Sequence, residues 1–307
     1  MRALEAEPAQ QEVPARAWEP LRWLIAAAQT ARPRQWPKNL LVFAAPLAGA
    51  SLGRDGGLWY ALGAAAAFIA ASAAVYYVND VIDAGRDRQH PVKRFRPVAS
   101  GRLPAAQALA LASLAAVAAV SFGFWAGEPR LSGIIVAYLA TSMLYALWLK
   151  HVPVVEVLFV ASGFVFRALG GAVATHVPAS GWFLLVCSLG ALMVAVAKRY
   201  TELSLLGDEA ARHRPVMRWY TLPRLRVSER LIAAGVIVSY LLWAAGGRDG
   251  WMRVWHLASA LPLAAALVRF DRLTGQGGDK PVEDLIARDW LMVGCEMAWL
   301  VMFALGL

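Results

Sequence analysis

The chain has 307 residues, of which 59% are hydrophobic and 17% are charged, and its mean hydropathy is +0.50. This composition excludes an ordinary soluble domain and indicates an integral membrane protein. Long apolar runs without period-two alternation favour helices over a β-barrel. The net charge of +9 comes without a nucleic-acid-binding motif. We therefore expect no nucleic acid partner, since cytoplasmic loops of membrane proteins commonly collect Lys and Arg.

Apolar runs long enough to approach or cross a bilayer follow one another along the chain. They lie at about 37–53, 58–79, 105–126, 131–149, 153–175, 180–199, 229–247, 251–270 and 286–306. The sequence thus predicts an all-α integral membrane protein of about nine transmembrane helices, with one domain over 21–307. Residues 1–20 are polar, acidic and contain prolines, which predicts a disordered tail.

Basic residues alternate between the connections. The tail and the connections after the second, fourth, sixth and eighth spans hold most of the Lys and Arg, and the intervening connections hold little. This pattern predicts a multi-pass protein of the cell's inner (plasma) membrane with a cytoplasmic N-terminus. Three long polar connections, at about 85–104, 200–228 and 271–285, fall on that side, so we expect the active site at the cytoplasmic face.

The strongest chemical signal is an acidic motif at the end of the second apolar run. If the helix continues, Asp80, Asp83 and Asp87 lie at i, i+3 and i+7 in one narrow stripe. Clustered carboxylates need a cation, and oxygen-only ligands favour Mg²⁺. We expect these three residues to be the catalytic metal ligands, with Asn79 as a neutral contact beside them. The alternative is a solvated helix end.

Two groups of cations lie near this motif or near the first span. Lys93, Arg94 and Arg96 follow the aspartates and predict a diphosphate clamp, because Arg and Lys match phosphate oxygens. Ordinary loop charge is the alternative. Arg34 and Lys38 flank an aromatic residue at the entry of the first span, where they would contact a lipid phosphate or serve as an interfacial anchor.

The sixth span ends in a charged motif. Its candidate substrate-binding residues are Lys198, Arg199, Tyr200 and Glu202. Snorkelling membrane anchors are the alternative interpretation. The fifth span carries Glu156 and Arg167, eleven residues and about three turns apart, so we expect each to find a partner on another helix. Arg167 is a further candidate for a phosphate in a central cavity.

These motifs resemble a known family. The pattern Asn79-Asp80-x-x-Asp83-x-x-x-Asp87, on the second of about nine helices, is similar to the UbiA superfamily of intramembrane prenyltransferases. Segments 32–39, 87–97 and 197–202 resemble one branch of it, the decaprenyl-phosphate phosphoribosyltransferases. The resemblance implies a helical bundle with a central cavity that opens to the cytoplasmic face.

The branch also implies a reaction. A polyprenyl phosphate attacks 5-phosphoribosyl 1-diphosphate in the presence of Mg²⁺, and diphosphate leaves. The product is a lipid-linked precursor of arabinofuranose donors for cell-wall synthesis. Two alternatives stay open: a prenyltransferase with an aromatic or quinone acceptor, and a membrane transporter or lipid-binding protein. The lipid's chain length and the oligomeric state, a homo-oligomer included, cannot be read from the sequence.

Overall fold

The computed structural model describes residues 19–246, 250–276 and 282–307, and every regular element in these ranges is helical. The predicted all-α class is therefore confirmed. The α-helices are α1 (Glu19–Thr30), α2 (Ala44–Ala48), α3 (Gly57–Gln89), α4 (Ala105–Trp125), α5 (Pro129–Leu147), α6 (Val155–Ala174), α7 (Gly181–Leu206), α8 (Ala210–His213), α9 (Leu222–Gly246), α10 (Gly250–Gly275), α11 (Val282–Arg288) and α12 (Trp290–Leu305). Residues 1–18, most of the predicted disordered tail, lie outside the described residues.

Seven helices in the described ranges are long and apolar enough to cross a membrane: α3, α4, α5, α6, α7, α9 and α10. They correspond to seven of the nine predicted spans. In α4 and α10 only 22% of the most apolar window is buried, against 56% in α3. The large apolar side chains that α4 and α10 leave exposed suit contact with lipid tails.

The first and last predicted spans take other forms. A 3₁₀-helix (Pro33–Phe43) with Pro37 inside it leads into the five-residue α2. Proline removes a backbone donor and blocks a regular α-helix, which accounts for the tighter winding here. The last span is α12, which has 16 residues and is shorter than a typical membrane helix. Nine spans therefore stay a prediction, as does the sidedness.

The chain divides into two compact units. The smaller comprises the chain up to Gln35 together with Ala73–Ala115, and the larger comprises Trp36–Ser72 and Ala116–Leu307. Because α3 and α4 each run through both units, this division does not test the prediction of one membrane domain. In the smaller unit α1 packs through Ala26 onto Tyr77 and Leu103.

In the larger unit the helices α5, α6, α7, α9, α10 and α12 follow one another as packed neighbours, and α2 packs on α6. The closest approach between the 3₁₀-helix and α6 occurs at a small residue. A Cβ atom built on Gly171 of α6 would lie 1.7 Å from the Val42 carbonyl oxygen. The 3₁₀-helix can therefore lie against α6 only because position 171 has no side chain.

Candidate active site

The acidic motif lies on α3, which continues without a break to Gln89. Asp80 and Asp87 are buried, and one guanidinium joins them: Arg96 Nη1 lies 2.8 Å from Asp87 Oδ2 and 3.6 Å from Asp80 Oδ1. Asp83 is partly exposed and lies 2.5 Å from Arg86 Nη2. The structure thus brings together two of the three predicted ligands and places the third in a separate ion pair.

Arg32 also belongs to this cluster, although the sequence pattern placed it in the basic segment 32–39 at the first span and not beside the aspartates. Its Nη2 lies 2.5 Å from Asp80 Oδ1, and its guanidinium lies 4.8 Å from the centre of the Tyr76 ring. Arg32 has a left-handed backbone conformation (φ +53°) directly after α1. Tyr76 precedes Asp80 by four residues and shares its helix face, but this spacing does not indicate that Arg32 is their partner.

The donor atoms of the aspartate cluster suit Mg²⁺, since they are carboxylate oxygens on one helix face. In the described part of the chain, however, no three His, Cys, Asp or Glu residues are grouped so as to hold a metal. The carboxylates of Asp80 and Asp87 face guanidinium groups instead. The chemistry of the ligands fits the metal, and the joint assignment of Asp80, Asp83 and Asp87 to it stays a prediction.

The basic loop after α3 is held by arginine side chains that donate to its backbone carbonyls. Arg102 donates to the Phe95 carbonyl at 2.7 Å, and Arg88 donates to the Ala99 carbonyl at 3.1 Å. Lys93 and Arg94 are exposed on a 3₁₀ turn, with the guanidinium of Arg94 4.8 Å from the Phe95 ring centre.

The remaining residues that were predicted to contact substrate in this part of the chain differ in exposure. Asn79 is half-buried on α3 beside Asp80. Arg34 is exposed and Lys38 is half-buried on the 3₁₀-helix. Their predicted contacts with substrate stay predictions.

In the larger unit, Arg199 of α7 lies between two carboxylates. Its Nε is 2.7 Å from Glu156 Oε1, and its Nη1 is 2.5 Å from Glu202 Oε2. The Glu156 side chain is fully buried, so the pair is shielded from water. The prediction that Glu156 finds its partner on another helix is confirmed. Arg199 was predicted to bind substrate, and in the structure it also forms ion pairs with carboxylates.

The segment after α7 is tied to the same carboxylates. Arg214 Nη1 lies 3.1 Å from the Tyr145 hydroxyl and 3.6 Å from Glu156 Oε2. The Tyr220 hydroxyl donates to Glu156 at 3.3 Å and accepts from the Val154 amide at 2.9 Å, at the start of α6. Burial raises the pKa of Tyr220, which keeps its hydroxyl protonated and able to donate.

Tyr200 and Lys198 each contact a neighbouring helix. The guanidinium of Arg226 lies 4.0 Å from the Tyr200 ring centre, and Arg226 also donates to Glu229 at 3.1 Å. Lys198 Nζ lies 5.7 Å from the centre of the Phe164 ring. These cation–π contacts link the charged motif of α7 to α6 and α9.

Arg167 of α6 is buried among neutral partners. It donates to Asn39 Oδ1 at 2.7 Å, to Ser72 Oγ at 2.8 Å, to the Tyr138 hydroxyl at 3.2 Å and to the Gly163 carbonyl. The prediction of partners outside α6 is confirmed. Within the described residues the hydrogen-bond partners of Arg167 are neutral groups, so no carboxylate among them offsets its positive charge.

A cavity of about 1120 Å³ opens at one end of the larger unit. Leu40 and Leu41 of the 3₁₀-helix line it, as do Trp243, Trp299 and Phe303. It lies where α6 ends, which is about 30 Å along that helix from Glu156. With a cytoplasmic N-terminus, as the sequence predicts, this end of α6 lies on the side of the membrane opposite the cytoplasm. The predicted central cavity that opens to the cytoplasmic face therefore stays a prediction.

The chain matches the sequence profile of the UbiA prenyltransferase family over residues 40–282. It belongs to that family, as its motifs indicated. Its relatives include the "Decaprenyl-phosphate phosphoribosyltransferase" of Mycobacterium tuberculosis, 40% identical over 277 residues, covering 88% of this chain and 90% of the relative. The protein of the same description from Mycolicibacterium smegmatis is 36% identical over 283 residues, covering 88% of each chain.

Among solved structures, a UbiA homolog from Archaeoglobus fulgidus bound to DMAPP and Mg²⁺ aligns with a TM-score of 0.67 at 14% identity. The alignment covers 93% of this chain and 97% of that one. At this identity the likeness establishes the fold.

Proposed function

We propose that the protein transfers the 5-phosphoribosyl group of 5-phosphoribosyl 1-diphosphate to a polyprenyl phosphate of the decaprenyl type, with release of diphosphate. The observation that carries this is the 40% identity to the M. tuberculosis enzyme over nine tenths of that enzyme's length. The product is a lipid-linked precursor of arabinofuranose donors.

The chemistry suits a site rich in charges and poor in general bases. A phosphate oxygen of the lipid forms a bond to C1 of the ribose, and the bond from C1 to the diphosphate oxygen breaks. Because the nucleophile is already ionised, no side chain has to remove a proton. The chain's task is to hold two anions together and to stabilise the charge that develops on the leaving diphosphate.

On the donor side, Asp80, Asp83 and Asp87 would hold Mg²⁺, which would neutralise the diphosphate as it leaves. The solved A. fulgidus homolog binds Mg²⁺ together with DMAPP, which supports the choice of metal. Cations of the loop after α3, namely Lys93 and Arg94, lie exposed on the same unit as the aspartates and would contact the diphosphate oxygens.

The charged motif of α7 supplies a second group of contacts. In our proposal Lys198 and Tyr200 contact the ribosyl donor's 5-phosphate, and the ion pair with Glu202 orients the Arg199 side chain. Arg167 adds the uncompensated positive charge that a phosphate requires. A donor with two separate phosphorylated ends needs more than one cationic group, whereas a prenyl diphosphate needs one.

The 1120 Å³ cavity would take the polyprenyl chain. The Leu and Trp side chains in its wall give apolar contact but do not select a particular lipid chain. Lys38 precedes the cavity-lining Leu40 by two residues on the same 3₁₀-helix, so it is suited to contact the lipid phosphate, with Arg34 one turn earlier. We place the protein in the inner membrane with its N-terminus and active site in the cytoplasm.

The decisive experiment is substrate choice. Purified protein is incubated with radiolabelled 5-phosphoribosyl 1-diphosphate and a polyprenyl phosphate, and a labelled lipid is expected. In parallel it receives a prenyl diphosphate and an aromatic acid. Transfer of the prenyl group alone would replace our proposal with the aromatic prenyltransferase alternative.

Two further experiments test the assignment of the aspartates and of the metal. Asp80→Asn should abolish turnover while thermal unfolding stays cooperative, and EDTA should do the same to the wild type. Glu128→Gln serves as the matched control, because that carboxylate pairs with His176 and has no proposed contact with substrate. Full activity of Asp80→Asn would exclude the aspartate assignment.

A further inference from the structure

The guanidinium of Arg96 lies between the buried carboxylates of Asp80 and Asp87, 3.6 and 2.8 Å away. These oxygen atoms are the ones that a divalent cation would use. Arg32 adds a second guanidinium on Asp80. Two carboxylates and two guanidinium groups sum to zero, so the cluster is neutral as it stands.

A divalent cation entering alone would add two positive charges beside two arginines. It would have to displace Arg96 from both carboxylates without offering that side chain a new partner. A cation that arrives with a diphosphate brings the missing anion, and diphosphate oxygens are good partners for a guanidinium. The charge balance therefore favours entry of cation and diphosphate together.

We propose that Arg96 is an exchangeable counter-ion: it holds Asp80 and Asp87 against a bare divalent cation and moves onto the diphosphate when metal and diphosphate bind together. This inference rests on the proposed function and assigns the order of binding within it. The site would thus remain closed to metal in the absence of donor or product diphosphate.

The two arginines differ in their freedom to move. Both side chains are 31% exposed, but the Arg32 guanidinium also lies over the Tyr76 ring, 4.8 Å from its centre, and this contact holds it beside Asp80. The backbone amide of Arg96 donates to the Lys93 carbonyl, and its carbonyl accepts from the Ser100 amide. The backbone is therefore anchored, and a rotation of the Arg96 side chain suffices for the exchange.

The test measures binding without turnover. Full-length protein in detergent is titrated with Mn²⁺, followed by electron paramagnetic resonance, with and without inorganic diphosphate. In Arg96→Gln, bare Mn²⁺ should bind about three- to tenfold more tightly, because a competing ion pair is gone. Diphosphate in the presence of Mn²⁺ should bind about tenfold more weakly or worse, because a charged donor is lost.

Arg94→Gln is the matched control, since it removes the same charge from the same loop but its guanidinium lies over the Phe95 ring. It should weaken diphosphate binding without tightening bare Mn²⁺ to the extent that Arg96→Gln does. If Arg96→Gln does not fold, Arg96→Lys replaces it, because an ammonium group cannot bridge both carboxylates in the same way.

The opposite signs of the two effects make the inference falsifiable. Equal or weaker Mn²⁺ binding in Arg96→Gln, or an equal gain in Arg94→Gln, would overturn it even if the enzyme is a phosphoribosyltransferase. Wild-type protein that binds neither Mn²⁺ nor diphosphate under any condition would instead contradict the metal assignment of the proposed function.

Discussion

Replacing Glu156 by Gln tests how much the buried ion pair of α6 and α7 contributes to stability. The amide has nearly the same shape and still accepts from Tyr220, so the change removes one charge and little else. Arg199 is left with Glu202 as its carboxylate, and the side chain of Arg199 is only 7% exposed. A buried cation then loses the partner that offset its desolvation.

The magnitude follows from burial. Breaking a fully buried pair by removing one partner costs about 3–5 kcal/mol. Because Glu202 still contacts Arg199, we expect Glu156→Gln to fall at the lower end, about 3 kcal/mol. Glu202→Gln removes a carboxylate from the same arginine at a comparable distance, but that carboxylate is 26% exposed. Its loss should cost about 1 kcal/mol or less.

Thermal unfolding in detergent, followed by the fluorescence of the 13 Trp residues, compares the two variants under one condition. Glu156→Gln should lower Tm by several degrees more than Glu202→Gln. The two variants have the same change in net charge, so a general electrostatic effect cancels in the comparison. An equal loss, or a larger one for Glu202→Gln, would refute the argument that burial decides the energy of this cluster.

Two other predictions concern packing and pH. Gly171→Ala should destabilise by the upper end of about 1–3 kcal/mol, because its new Cβ would overlap the Val42 carbonyl. Gly190→Ala meets open space inside α7 and should stabilise by up to about 1 kcal/mol or leave stability unchanged in the same unfolding assay. Hydrogen bonds from Arg269 hold the pKa of Asp289 below its usual range, so the carboxylate stabilises the fold above the unfolded-state value of about 3.9 and loses that effect as the pH falls through the folded value. The difference in Tm between wild type and Asp289→Asn should therefore be present at pH 7 and disappear in acid, and a difference that grows in acid would contradict this sign.

The sequence predicted most of the helices, because seven spans are long uninterrupted apolar runs with turn residues between them. It placed the acidic motif in one stripe on the condition that the second span continues as a helix, and α3 meets that condition by running to Gln89. It did not predict the 3₁₀-helix, whose form depends on Pro37 and on close packing against Gly171. Periodicity cannot reveal such a contact, since the two residues are far apart in sequence.

The charged partners were the least predictable part of the site. Asp80 and Arg32 are 48 residues apart in sequence, and Arg199 and Glu156 are 43 apart. Each residue lies in a segment that stands out in the sequence, yet composition and spacing contain no information on which segment meets which. Tertiary packing decides the pairing, and the pairing decides whether a cation is available to a substrate.

That distinction separates three kinds of cation in this chain. Arg96 and Arg199 already contact carboxylates, so either can reach a phosphate only by exchanging partners. Lys93 and Arg94 are exposed and can meet an incoming anion directly. Arg167 is a third case, because its charge is held by neutral groups in the membrane interior and needs no exchange to attract an anion. Each kind of cation would therefore meet a phosphate in its own way: the exposed cations directly, the ion-paired arginines by exchange, and the buried arginine with a charge that persists throughout.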